Sequence, residues 1–218
     1  MFPFPIAKPQ GCDIQTFYGA GNNNQQYTWN KPVGVSHVYM MLIGGGGTGN
    51  TVAGGGSGAV TVWYGAAQHV PSSLIVRPSG VGVLGPSYIY YARVLTSNVL
   101  LQANSANGAT QGGAVSGGPF AASGFFKSTA GQDGTSGGPV SPSSTTFLSG
   151  GSDAIGNTGN YGYDNFRYNA GFFQMQPIIV GVGSANSAGT PGVSGIGCGG
   201  GASSDYPGGP GMVLIASW

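Results

Sequence analysis

The sequence predicts an all-β fold: a sandwich, jelly-roll-like in its antiparallel strands, with long ordered glycine-rich loops and an extended N-terminal arm. Three observations predict it. Short runs of apolar, β-branched and aromatic residues recur along the chain, each closed by Gly, Pro, Ser or Asn. Glutamate is absent, and no stretch keeps a 3.6-residue apolar period. Glycine supplies 45 of the 218 residues and charged side chains only 5%, against norms of about 7% and about 25%.

A glycine-rich chain first raises the question of disorder. Hydrophobic residues at 40% and aromatics at 11% answer it, because they are ample for a packed core. Each ordered glycine loses roughly 0.5–1 kcal/mol more backbone entropy than alanine would, so such a fold needs compensating hydrogen bonds and burial. Few charges also mean weak self-repulsion and poor solubility as a lone monomer. Both arguments point to a protein that works inside an assembly.

Residues 1–26 are rich in Pro, Gly and Asn and read as an extended arm laid on another surface, a neighbouring subunit being one candidate. Residues 27–218 form a single glycine-rich β domain. Its expected strands are Val35–Ile43, Ala59–Tyr64, Ser73–Arg77, Tyr88–Leu95, Val99–Gln102, Ile178–Val182 and Met212–Ser217. Between them run low-complexity stretches such as Gly44–Gly58, Asn107–Pro119, Thr129–Pro139 and Gly192–Gly211. Runs this long inside an ordered domain imply backbones packed too closely for a Cβ.

The six basic residues, Lys8, Lys31, Arg77, Arg93, Lys127 and Arg167, are scattered singly. Nucleic-acid binding needs them clustered, so it is not expected. No apolar run approaches the roughly 20 residues of a membrane span, and no secretory signal is visible. Cys12 and Cys198 are expected to be thiols, although their spacing alone does not forbid a disulfide. No metal ligand set and no cofactor site is expected.

Two motifs look chemical. Gly44, Gly46, Gly49 and Thr51 approximate phosphate-loop signatures, but Asn50 stands where a lysine belongs. Such a loop also needs a helix to follow, and here a glycine run and a strand follow. Gly134–Pro139 resembles the nucleophile loop of chymotrypsin-like serine proteases, with Ser136 as nucleophile. His37 and His69 precede it, yet the one acid between them and Ser136 is Asp133, three residues upstream, which cannot act as a separate orienting carboxylate. The protease is the weakest alternative, and no catalytic residue is assigned. His37, on an apolar strand, reads as a satisfied buried histidine.

From Tyr27 the chain resembles a known family. YTWNKPVGVSHVYMMLIGGGGTGN looks like the opening of the glycine-rich domain of phage tail-fibre and other virion proteins. GGGSGAVTVWYGAAQHVPSSLIVRPSG is similar to its second block, VLTSNVLLQANSANGATQGG to its Leu-Leu block, and GGPGMVLIASW to its close. The resemblance covers much of 27–218, excepting Tyr161–Gln176 and the N-terminal arm. It implies a β-rich virion protein without catalytic residues.

The expected function is therefore a non-enzymatic structural role in a virion, as a minor capsid, decoration or tail component. Its partners would be other virion proteins and copies of itself. The alternative is a host-recognition adhesin that meets a surface receptor. The contact surface expected for either role is the aromatic segment of Tyr161, Tyr163, Phe166, Arg167, Tyr168, Phe172 and Phe173, since such rings give large area at little entropy cost.

Overall fold

A computed structural model describes residues 12–21, 25–49, 53–81, 85–94, 96–107, 111–134, 195–200 and 207–218. Nine strands make up the regular structure there: β1 (Asp13–Tyr18), β2 (Tyr27–Asn30), β3 (His37–Ile43), β4 (Val60–Ala66), β5 (Ser73–Arg77), β6 (Ser87–Tyr91), β7 (Val99–Ala103), β8 (Phe125–Thr129) and β9 (Met212–Ser217). Three short 3₁₀ turns are the only helical elements among the described residues, and no helix there is long and apolar enough to cross a membrane. The strands form two antiparallel sheets, ordered β1-β9-β3-β4-β8 and β2-β5-β6-β7.

The sheets face each other across one core. Val38, Met40 and Leu42 of β3, Trp63 of β4, and Val213 and Ile215 of β9 meet Trp29, Leu74, Val76, Ile89, Leu101 and Ala103 of the smaller sheet. Strand β5 shows the expected alternation, with Leu74 and Val76 buried and Ser73 exposed. The Trp63 indole N–H reaches the Phe120 carbonyl at 2.8 Å, so its polar atom is satisfied inside the core.

The central strands of the larger sheet are buried on both faces. Tyr39, Met41 and Ile43, with Val60, Val62, Met212, Leu214 and Ala216, form a second apolar layer on its outer side. That explains why HVYMMLI and MVLIAS are nearly continuous apolar runs rather than alternating ones. Ser87 ties the sheets together: its hydroxyl donates to the Ile43 carbonyl at 2.6 Å and accepts the Ser79 N–H at 3.0 Å.

Beyond Ile43 several glycine segments close backbone to backbone. Gly46 N–H donates to Gly209 O, Gly47 N–H to Gly56 O, Gly58 N–H to Gly197 O and Gly200 N–H to Gly47 O, all within 2.8–2.9 Å. A Cβ built on Gly46 would lie 1.9 Å from the Cys198 carbonyl oxygen. No side chain fits between these backbones.

Several expected boundaries move. The Val35–Ile43 strand begins at His37, and Ala59–Tyr64 becomes Val60–Ala66. Tyr88–Leu95 shortens to Ser87–Tyr91 because Ala92 turns the chain with φ of 62°. Strand β8 was not expected at all. Its sequence FFKST carries a charge and two hydroxyls, which weaken the apolar signal. Asp13–Tyr18, part of the span read from sequence as an extended arm, is a strand that pairs antiparallel with the chain's own β9. The prolines and asparagines around it dominate the reading of that span, while DIQTFY itself has neither. The expected strand Ile178–Val182 lies outside the described residues.

Candidate interaction surface

The surface is best built from the edges of the larger sheet, where a sandwich is open to partners. Strand β1 is one edge. Its register sets Ile14 opposite Ala216, Thr16 opposite Leu214 and Tyr18 opposite Met212. Those three β9 residues belong to the buried outer layer, whereas their β1 neighbours emerge from it: Ile14 is 45% and Tyr18 50% exposed. Asp13 is the one charge on the strand, and Gln15 Nε2 donates to its carboxylate at 2.7 Å. On the other face Phe17 packs against the inter-sheet core and lies 5.4 Å from the Tyr27 ring, centroid to centroid.

The backbone of β1 divides by parity. Gly19 N–H donates to Gly211 O at 3.0 Å, so the odd residues of the strand point their backbone groups at β9. Ile14, Thr16 and Tyr18 therefore point theirs away from the sheet. Among the described residues the Tyr27 hydroxyl reaches one of these groups, donating to Tyr18 O at 3.1 Å.

The other edges are guarded. Strand β8 carries Lys127 at its centre, and Ser116 N–H donates to Ser128 Oγ at 3.1 Å, bringing the 111–118 segment alongside. Along β7, the Ser116 hydroxyl donates to Gln102 O. Strand β2 is only four residues long, and its exposed positions are the polar Thr28 and Asn30. Among the described residues β1 is the longest edge without such a guard.

At the β9 end of the same face lies an aromatic cluster. His37, Tyr64 and Trp218 are half-buried, with ring centroids 5.6–5.8 Å apart and planes within 22° of parallel. Near-equal spacing makes the cluster a compact triangle rather than a column, since in a column the outer rings would be about twice as far apart. His37 is thus half-buried rather than buried, and its Nδ1 lies 2.9 Å from Ser36 Oγ. His69 is exposed in the 3₁₀ turn Ala67–His69.

A depression of about 630 Å³ has Asn104, Asn107, Gln111 and Asp133 in its lining, beside Pro86, Ala106 and Ala114. Its groups mostly bond to one another or to nearby backbone: Asn107 Nδ2 to Gln111 Oε1 at 3.0 Å, Asn104 Nδ2 to Ala114 O at 3.0 Å, and Gly112 N–H to Asp133 Oδ1 at 2.7 Å. Asp133, considered in sequence as a partner for Ser136, is here a backbone acceptor. Among the described residues no three metal-ligating side chains converge. Gly44–Gly49 leaves β3 without a helix behind it: residues 53–59 are irregular and lead into β4.

The aromatic segment chosen from sequence, with Tyr161, Tyr163, Phe166, Arg167, Tyr168, Phe172 and Phe173, lies outside the described residues, as does Ser136. The β1 edge was missed. The alternation of Ile14, Thr16 and Tyr18 is a strand signal, but it does not say that the strand is an edge. Cys12 and Cys198 are both buried and not disulfide-bonded. Cys12 adjoins Asp13, which pairs with Ser217, whereas the Cys198 carbonyl accepts Gly209 N–H. The whole of β9 runs between these points, about 17 Å at 3.3 Å per residue, far beyond the Cα reach of a disulfide.

No family model and no curated protein matches this chain.

Proposed function

We propose that this chain is a non-enzymatic structural protein of a virus particle, a minor capsid, decoration or tail component that acts through contacts between subunits. The observation that carries the reading is the β1 edge: a six-residue strand with Ile14 and Tyr18 about half exposed and a single charge. Soluble monomers usually protect such an edge with lysines, proline or a covering loop. The scarcity of ionisable groups agrees, since general acid–base work needs positioned titratable pairs. Asp13 and Asp133 are the two carboxylates among the described residues; one accepts from Gln15 and the other from Gly112. The resemblance of much of residues 27–218, excepting Tyr161–Gln176, to the glycine-rich domain of virion proteins suggests the particle.

The test is quantitative mass spectrometry of gradient-purified particles, followed by cryo-electron microscopy. The chain is expected at a fixed copy number per particle, with density for a two-sheet sandwich at a repeated position. Its absence from purified particles while it is abundant in the producing cells would overturn the reading.

A further inference from the structure

We propose that β1 is a self-pairing edge, through which two copies of this chain join their five-stranded sheets into one continuous sheet. The inference rests on the reading that the protein works through subunit contacts, and it names the partner and the register.

The backbone fixes which residues can bond to a partner, and the side-chain pairs choose the register. Ile14, Thr16 and Tyr18 carry the outward N–H and C=O groups, so a second strand must bond to these residues. A two-fold axis through Thr16 puts Thr16 opposite Thr16 of the second copy and Ile14 opposite Tyr18 of the second copy. Aromatic with β-branched and Thr with Thr are favourable cross-strand pairs, and the same operation supplies each pair from both copies. These three side chains are the exposed ones on β1. Pairing would therefore cover them and continue the apolar outer layer of Ala216, Leu214 and Met212 across the junction.

Charge does not oppose the arrangement. In this register Asp13 faces Gly19 of the second copy, and the two Asp13 carboxylates fall at opposite ends of the paired strands, about 20 Å apart. An axis through Gln15 would also bond even residues to even ones, but it sets Tyr18 opposite Cys12 of the second copy instead of Ile14 and so gives up the aromatic with β-branched pair. The Tyr27 hydroxyl on Tyr18 O does not block the pairing, because a carbonyl has two lone pairs.

Proline at position 16 tests this cleanly. The Thr16 N–H faces outward, so Thr16→Pro removes a bond to the partner and none to β9. Sedimentation velocity of the full chain at 1–100 µM (about the range of moderate dimers) is expected to show a wild-type dimer and a Thr16→Pro monomer. Far-ultraviolet circular dichroism should be the same for both. If the proline variant does not fold, Thr16→Lys, which sets two ammonium groups face to face, serves instead and is expected to be monomeric. A wild type that stays monomeric throughout the range, or a folded variant that still dimerises, overturns β1 pairing. Neither outcome touches the copy number in particles, so the two readings fail separately.

Discussion

Gly46→Ala tests whether the glycine segments are held by direct backbone packing. The new Cβ would lie 1.9 Å from the Cys198 carbonyl oxygen and 2.4 Å from its carbon, so the backbones must part by about 1 Å to reach even a tight contact. That carbonyl accepts the Gly209 N–H at 2.8 Å, and Gly46 itself donates to Gly209 O at 2.9 Å. One movement therefore disturbs two buried hydrogen bonds as well as the packing. Overpacking costs about 1–3 kcal/mol and each buried group left unsatisfied about 1–3 kcal/mol. The expected loss is about 3–9 kcal/mol, a large share of the 5–15 kcal/mol typical of a domain. Gly117→Ala is the matched control, because nothing lies within 4 Å of its Cβ. It should be neutral or stabilise by up to about 1 kcal/mol through the unfolded chain. Urea unfolding followed by tryptophan fluorescence reads both, as Trp29 and Trp63 are fully buried. The Gly46→Ala midpoint should fall by at least about 1 M. Equal midpoints for the two variants would refute the close-packing argument.

Three further outcomes follow from individual contacts. Ser87→Ala removes the hydroxyl that joins the Ile43 carbonyl to the Ser79 N–H, so it should lower stability by about 1–3 kcal/mol in the same assay, whereas Ser97→Ala, on an exposed turn, should change it by less than about 0.5 kcal/mol. Burial raises the Tyr90 phenol above its ordinary value, with nearby Arg77 acting in the opposite direction. A raised acid favours the protonated form in the folded state, so its contribution is complete below about pH 10 and is lost as pH rises through the folded value. Denaturant midpoints should therefore fall on the alkaline side, and Tyr90→Phe should flatten that part of the profile. Oxidation of the folded chain should leave Cys12 and Cys198 as two thiols titratable after unfolding; an intramolecular disulfide on a non-reducing gel would contradict the strand register.

The all-β class was legible because its causes are local: turn residues closing short apolar runs, and continuous apolar stretches where strands are covered on both faces. Ser73–Arg77 and Met212–Ser217 were placed correctly for that reason. What was not legible depends on distant partners. Nothing in DIQTFY announces that β9, some 200 residues away in sequence, will pair with it. FFKST is amphipathic rather than apolar because it lies at an edge, and so it gives only a faint strand signal. The interaction surface was sought among conspicuous tyrosines and phenylalanines. The edge found here depends on backbone parity, which appears only once the Gly19–Gly211 bond is known.

Amide hydrogen exchange along β1 tests the claim of an assembly surface most directly. In dilute solution Gln15 and Phe17 should be protected by β9, while Ile14, Thr16 and Tyr18 exchange quickly. On concentration to the dimer, the three even-numbered amides should slow together and the odd ones change little. Fast exchange at Thr16 in the concentrated, associated protein would contradict the account.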